Sequence, residues 1–490
     1  MTIAPSGIAL SILAGTLLIA FGLSVRGSSV GGASGRMNLE QWSVGGRGFG
    51  AAFVFLLMAG EIYTTFTFLG ASGWAYGRGA PAFYIIAYGS VAYIMSYWLL
   101  PAIWQRATAW KVISQAEYFA RAYDSAWLGR MVALVSTAAL MPYLVLQLKG
   151  LGIIVAETSY GAIGANMAIW IGTMATVVYV ILSGVKGSAL TAALKDVLVL
   201  TVVLALGVLL PSMLHGGIGP MFTRIATERP GFLTLPATGM SPSWFASTVV
   251  LTVCGFYMWP HTFGSVFTAK NTDVFRRNAV IMPLYQLILL FVFFIGFAAL
   301  LSVPGLTGSD TDLALLRIVR ATFSPWVVGC VGAAGLLTAL VPGSLILMST
   351  ATTLSRIIRP PSDASTGAGI GLARSLVPVV AGVALVFTFR GGDTLVTLLL
   401  MAYSMVTQLF PALLASLARV RVVTAAGAMA GIVVGEATVA YITLANVSLA
   451  KVLPSWPSAI TDVNVGLVAL LLNIVAMIVV SAVGRRGGAR

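Results

Sequence analysis

The chain has 490 residues, of which 59% are hydrophobic and 9% are charged, and its formal net charge is +14. Soluble domains carry about 25% charged residues, so this composition excludes a water-soluble fold of this size. The apolar runs are about 20 residues long, enough to cross a bilayer as α-helix, and they lack the alternation of barrel strands. The sequence therefore predicts an all-α polytopic membrane protein.

The positive charge does not indicate a nucleic-acid partner, because the Lys and Arg residues lie in short loops between apolar segments. Cys254 and Cys330 lie inside apolar runs, so we expect neither a disulfide framework nor a metal site. The expected partners are the lipid bilayer and a small-molecule substrate, with no cofactor besides a coupling ion.

In chain order, about thirteen spans are predicted, near residues 7–25, 48–70, 80–103, 131–155, 163–184, 191–211, 244–267, 279–302, 323–355, 375–389, 394–415, 423–444 and 463–484. The loops on one side then hold twenty Lys and Arg residues, with Lys195 counted among them, against seven on the other side. By the positive-inside rule, the N-terminus lies outside and the C-terminus in the cytoplasm. Arg outnumbers Lys twenty-two to six, as in GC-rich bacteria, so we expect a bacterial cytoplasmic membrane.

The second predicted span carries polar residues near the middle of the membrane, in the sequence GEIYT at 60–64. Gly60 would permit the helix to unwind, and an ionisable residue such as Glu61 is costly to bury at this depth. Glu61 therefore indicates a functional site, with proton coupling as a candidate role. The alternative is a protonated or paired side chain that serves packing.

The seventh predicted span contains the sequence CGFYMWPH at 254–261. Pro260 removes a backbone donor and Gly255 loosens the helix, so a break near the centre of the span is expected. An aromatic stripe often serves packing alone. The glycine and the Trp-Pro-His sequence around this one favour a binding site.

The ninth span, 323–355, is longer than one straight crossing requires. Its sequence Pro342-Gly343-Ser344 predicts a break, and the hydroxyls of the run 348–353 indicate an ion-coordinating patch. Serine and threonine in membrane helices also bond back to their own carbonyls, so a packing role stays open.

Three other polar residues are weaker candidates. Asp196, placed at the inner end of a span, is a candidate for the ion path or a helix-terminus charge. Lys149 faces a cavity or pairs with an acid, and Glu436 has a structural or a functional role, both alternatives being open.

The two expected breaks fall in spans two and seven, so five helices separate equivalent positions. A unit with an odd number of crossings has an inverted copy, as in inverted-repeat transporters. We therefore predict one transporter domain with a first repeat at 48–211 and a second at 244–415. Residues 7–25 form an extra N-terminal helix and 423–484 two C-terminal helices.

Together these motifs resemble the sodium:solute symporter family over about spans two to twelve. The similarity rests on QWSVGGR at 41–47, GASGWAYG at 70–77, GVKGS at 184–188 before Asp196, WPH at 259–261 with RRN at 276–278, and the serine–threonine run of span nine. The residues EIYT at 61–64, with WPH and Pro342-Gly343-Ser344, most resemble the monocarboxylate (lactate, pyruvate, alanine) permease branch. The resemblance implies a five-plus-five, LeuT-like core.

In that family a sodium ion lies between the first broken helix and span nine. By position, the resemblance implies an ion site formed by Gly60, Tyr63, Leu340, Gly343 and Ser344. Gly343 has no hydroxyl and so departs from the family pattern. Both Na⁺ and H⁺ therefore stay open as coupling ion, with Glu61 and Asp196 as candidates for the proton or ion path.

An anionic substrate would be bound by backbone amides at a helix N-terminus and by nearby side chains. The candidate substrate-binding residues are Thr64, Phe256, Tyr257, Trp259 and His261. The predicted function is secondary symport of a small monocarboxylate by alternating access, with proline or acetate as alternative solutes. A channel or solute sensor on a transporter frame is the alternative from another class. An enzyme is not expected, because two histidines offer little for a nucleophile–base pair or a metal cluster.

Overall fold

The computed structural model describes residues 4–29, 39–358, 368–390, 392–420, 422–445 and 447–487. Regular structure in these residues is helical, apart from one isolated bridge between Phe49 and Ala269. The helices of the first half are α1 (Pro5–Ser29), α2 (Leu39–Val44), α3 (Ala51–Gly60), α4 (Ala71–Arg78), α5 (Tyr84–Trp110), α6 (Gln115–Tyr123), α7 (Ala126–Thr158), α8 (Ala165–His215) and α9 (Ile218–Glu228).

The second half of the chain, as far as the structure describes it, holds thirteen α-helices. They are α10 (Pro242–Gly255), α11 (Pro260–Val266), α12 (Asp273–Leu287), α13 (Leu289–Ser302), α14 (Ala314–Thr322), α15 (Pro325–Ile358), α16 (Ala368–Arg390), α17 (Leu395–Val406), α18 (Phe410–Ser416), α19 (Ala425–Leu444), α20 (Leu449–Val452), α21 (Ser458–Thr461) and α22 (Val465–Gly487). Short 3₁₀ segments and one π-helical turn, Phe66–Gly70, join some of them.

Ten helices of the described residues are long and apolar enough to cross a membrane, and two shorter apolar helices contain the two predicted breaks. The prediction of an all-helical, multi-pass membrane protein is therefore confirmed. The count of thirteen spans, the orientation of the termini and the division into repeats stay predictions.

The longest helix, α8, has 51 residues and would be about 76 Å long if it were straight, more than twice the thickness of a bilayer core. It bends at Gly184, which has φ 65° and ψ −179°, a conformation that glycine adopts readily. The Tyr179 hydroxyl donates to Thr191 Oγ1 at 2.8 Å, twelve residues further along. The two halves of α8 therefore fold back against each other, as the predicted spans 163–184 and 191–211 require.

The predicted break at Pro342-Gly343-Ser344 is wrong, because α15 is one continuous α-helix from Pro325 to Ile358. Proline does lack a donor, but α15 is almost wholly buried and packs against α1, α7, α8 and α16. Neighbouring helices can hold a proline-containing membrane helix in this way. A proline in a span is therefore not sufficient to interrupt it.

Candidate functional site

The first interruption begins where α3 ends. The amides of Glu61 and Ile62 donate to carbonyls only three residues earlier, Met58 at 3.2 Å and Ala59 at 2.9 Å. The helix thus tightens and then stops, and helical structure resumes only at the fifth residue after Gly60. Carbonyls at such an end lack their usual partners within the helix, so other groups can bind them.

The side chain of Thr67 holds the unwound segment in shape. Its hydroxyl oxygen accepts from the Thr64 amide at 2.9 Å and lies 3.1 Å from the Thr64 carbonyl. It also donates to the carbonyl of Ile62. Thr67 therefore closes the turn between the two halves of this span.

The second interruption lies between α10 and α11, as predicted. After the 3₁₀ segment Phe256–Met258, Trp259 is extended, with φ −62° and ψ 128°, and Pro260 is the first residue of α11. Steric contact with a following proline disfavours helical conformation, while proline suits the first position of a helix. The pair Trp259-Pro260 therefore ends one helix and begins the next.

Glu61 connects the two interruptions. Its carboxylate accepts hydrogen bonds from Thr262 Oγ1 at 2.6 Å and from Ser265 Oγ at 3.2 Å, both on α11. In the described part of the chain Glu61 forms no ion pair. The Glu61 carboxylate, predicted from the first interruption, therefore contacts two hydroxyls of the second interruption. Thr262 and Ser265 were not predicted as site residues.

A small cavity lies beside these contacts, with a volume of about 30 Å³, room for little more than water. It is lined by Glu61, Ile62, Thr64, Phe66, Thr67, Tyr88, Tyr93, Tyr143, Phe256, Trp259, His261, Thr262, Gln286, Leu399 and Tyr403. The structure thus brings together four of the five predicted substrate-binding residues. Tyr257 does not line the cavity, and its ring packs against Phe256 at 5.0 Å.

Four tyrosines of the lining were not predicted, because they come from distant helices. Tyr403 and Tyr143 each lie 5.1 Å from the ring of Trp259, and Tyr403 is 5.7 Å from Tyr88. Tyr93 packs at 5.1 Å against Phe256. The cavity is therefore an aromatic enclosure that also carries hydroxyl, carboxyl, amide and imidazole groups.

Three of those polar groups have no hydrogen-bond partner within the described residues. They are Thr64 Oγ1, the Tyr93 hydroxyl and His261 Nδ1, and all three atoms are buried. Buried polar atoms in proteins are nearly always satisfied by protein, water or ligand. The enclosure therefore offers donors for a small polar solute.

A second polar cavity, also of about 30 Å³, shares His261 with the first. Its polar lining includes Ser114, Gln115, Ser265, Thr352 and Thr353, from α11, α15 and the start of α6. Gln115 is fixed there by donating to the carbonyl of Met258 at 2.7 Å. Part of the serine–threonine run of α15 thus lines a polar region next to the enclosure.

The carbonyls of Gly60 and Tyr63, predicted as ion ligands, both accept from Lys195 Nζ at 3.0 Å. The ammonium also forms an ion pair with Asp196 Oδ1 at 2.9 Å, and the Lys195 side chain is fully buried. The assignment of Lys195 to an inner loop is therefore wrong, and Asp196 does not lie at the inner end of a span. Only the bend at Gly184 is a turn, and α8 is already helical again at these positions.

Within the described residues, the predicted ligands of α15 form no hydrogen bond with this ammonium. Ser344 Oγ donates to the Val341 carbonyl at 2.6 Å and lies 3.1 Å from Ser188 Oγ on α8. A side chain at Gly343 would instead meet Thr176. Leu340 lines an apolar cavity between α1, α7, α8 and α15.

The two weaker candidates have simple surroundings. Lys149 donates to the backbone carbonyl of Asp393, so it does not pair with an acid there. Glu436 lies on α19 with Oε1 buried and without a hydrogen-bond partner in the described residues. Neither residue lines the aromatic enclosure.

The model of the sodium:solute symporter family matches residues 42–435. The chain belongs to the sodium:solute symporter family. It is 57% identical to the uncharacterized symporter YhjB of Bacillus subtilis (strain 168), over 98% of this chain and 97% of that one. It is also 27% identical to a monocarboxylate transport permease protein of Rhizobium johnstonii, over 77% of each chain.

Among solved structures, this family member is similar to a Na⁺-coupled sialic acid symporter in a substrate-bound, outward-open state. The TM-score is 0.77, the identity is 15%, and the match covers 97% of this chain and 98% of that one. At this identity the likeness shows the fold alone. The family match identifies the chain as a transporter and confirms the family resemblance drawn from the sequence.

Proposed function

We propose that the chain is a secondary symporter that moves a small monocarboxylate across the bacterial plasma membrane by alternating access. The observation that carries the proposal is the enclosure between the two interruptions, where Thr64, Tyr93 and His261 present unpartnered polar atoms. Such donors suit a carboxylate, and the surrounding rings suit a body of a few carbons. Similarity to a monocarboxylate transport permease supports the same solute class.

Alternating access requires two gates around one site. We propose that the repeats 48–211 and 244–415 move against each other, with the N-terminus outside and the C-terminus in the cytoplasm. In the described conformation the enclosure is closed, since about 30 Å³ leaves no room for a solute of several carbon atoms. A closed site favours a carrier over an open channel.

The coupling ion is Na⁺ or H⁺. Membership of the sodium:solute symporter family supports Na⁺. Glu61 supports H⁺, because a carboxyl held by the hydroxyls of Thr262 and Ser265 can carry a proton between the two interruptions.

Uptake into proteoliposomes tests the proposal. Labelled pyruvate, lactate, alanine and proline are offered under an inward Na⁺ gradient and, separately, under a pH gradient. We expect saturable uptake of pyruvate or lactate under one gradient, which collapses when that gradient is removed. Uptake of proline alone would contradict the monocarboxylate assignment, and uptake that ignores both gradients would contradict symport.

A further inference from the structure

One ammonium group lies where the family resemblance implies the coupling cation. Lys195 Nζ is surrounded by three oxygen atoms: the carbonyls of Gly60 and Tyr63, each at 3.0 Å, and Asp196 Oδ1 at 2.9 Å. A lysine ammonium has three donors, of which two bond to the carbonyls, and the Asp196 carboxylate forms an ion pair with the same group. The group is a fixed cation in a fully buried site.

The local backbone explains why a cation is stable here. The carboxyl end of α3 carries the negative end of the helix dipole, and its carbonyls have left the helical pattern. Asp196 adds a full negative charge 2.9 Å from the ammonium. Carbonyl and carboxylate oxygens are also what a hard cation such as Na⁺ prefers.

A second cation beside Lys195 is disfavoured by charge. A Cβ atom built on Gly60 would make ordinary contacts with Ala192 Cβ at 3.5 Å and Val341 Cγ1 at 4.0 Å, so α3 packs on both α8 and α15. Two positive charges within a few ångströms in a water-excluded site would repel each other strongly. Occupation by Na⁺ and by the ammonium are therefore mutually exclusive.

We propose that Lys195 is a built-in replacement for the sodium ion at this position, so that the site takes no Na⁺ while the lysine is present. The inference rests on the proposed function only in treating this position as the coupling-ion site. The chain would then keep the cation-binding geometry implied by its family and fill it with its own side chain. Any sodium coupling would have to use oxygen atoms elsewhere.

Removing the lysine should convert the position into a sodium site. In Lys195→Ala the Asp196 carboxylate and the carbonyls of Gly60 and Tyr63 remain, with space for a cation between them. We expect NaCl, compared with equal choline chloride, to raise the unfolding temperature of purified Lys195→Ala saturably by about 2–4 °C. The natural chain should show a smaller difference, because this position is filled by the lysine.

The matched control is Lys186→Ala, on the same half of α8 but only partly buried. It should behave like the natural chain. If Lys195→Ala does not fold, Lys195→Gln leaves Asp196 unneutralised and should gain a Na⁺ response through that carboxylate. A sodium response of equal size in the natural chain and in the folded Lys195 variant would overturn the proposal, as would no response in either.

The readout does not depend on which solute is carried. Failure of all four solutes in the uptake assay would remove the proposed monocarboxylate function, while a sodium response confined to the Lys195 variant would still support the inference. The two proposals therefore fail independently.

Discussion

Two charged clusters lie at the first interrupted span, and they stabilise a buried charge in different ways. In the lysine cluster, the ammonium of Lys195 is neutralised by Asp196 and by two carbonyls, all at 3.0 Å or less. In the glutamate cluster, the bonds of Glu61 within the described residues are to the neutral hydroxyls of Thr262 and Ser265. The first cluster is charge-balanced within itself, and the second is not.

This difference suggests a division of roles. Breaking a buried ion pair is strongly destabilising, because removing one partner leaves an isolated charge in a low dielectric. A carboxylate that is hydrogen-bonded to hydroxyls can bind or release a proton or another cation with less rearrangement. We therefore expect the lysine cluster to fix the first interruption and the glutamate cluster to respond to ions and substrate.

The largest effect should come from Asp196→Asn. This variant leaves the buried Lys195 ammonium without its counter-charge, and breaking such a pair typically costs about 3–5 kcal/mol. The unfolding temperature in detergent should fall accordingly. The double variant Lys195→Gln with Asp196→Asn removes both charges and should recover most of the loss.

The control for this prediction is Asp273→Asn. It removes the negative charge of an exposed ion pair between Asp273 and Arg276, whose atoms lie 3.5 Å apart. Exposed pairs contribute about 0–1 kcal/mol, so the unfolding temperature should hardly change. Equal losses in the Asp196 and Asp273 variants would show that the lysine cluster does not depend on its charge balance.

Glu61→Gln tests the other cluster through transport. The amide keeps the size of the side chain but cannot change its charge, so uptake driven by a pH gradient should fall at least about tenfold or lose its pH dependence. Glu40→Gln is the control, since Glu40 is about half exposed and pairs with Arg47 away from the enclosure. Normal accumulation by Glu61→Gln at all pH values would assign Glu61 to packing.

Sequence reasoning found the parts of this site that have a local signal. Two interruptions have such a signal, at Gly60-Glu61 and at Trp259-Pro260. In each, a glycine or a proline alters the backbone conformation at its own position. Pro342 gave the same signal and was misleading, since the packing around α15 keeps the helix continuous. That packing is a tertiary property with no trace in the neighbouring residues.

Lys195 and the four tyrosines show the other limit. Two adjacent charged residues near the predicted end of a span ordinarily lie in a loop. Only the position of the bend at Gly184 shows that Lys195 lies inside α8. Tyr88, Tyr143 and Tyr403 come from three separate helices, and no spacing along the chain relates them. Their meeting depends on the arrangement of the whole bundle.

A smaller effect is expected when the glutamate cluster loses one hydroxyl. Thr262→Val removes the 2.6 Å donor to Glu61, and a hydrogen bond to a charged group contributes about 1.5–3 kcal/mol. Ser265→Ala should cost less, because its 3.2 Å contact competes with a bond to the His261 carbonyl at 3.1 Å. Thermal unfolding and the pH profile of uptake measure both, and a larger loss in Ser265→Ala would reverse this ranking.

The smallest effect concerns a third carboxyl, Asp312, in the segment Gly308–Leu313 outside the spans. Burial raises its pKa to about 7, against the Leu395 amide and Lys149, which lower it. Because this pKa lies above the ordinary value of 3.8, the folded state binds the proton more tightly, and the resulting stability is lost as pH rises through 7. The unfolding temperature should therefore fall slightly from pH 5.5 to 8. Asp312→Asn, which retains an acceptor for the Leu395 amide, should lessen that fall, and an unchanged pH dependence would show that the Asp312 carboxyl does not set it.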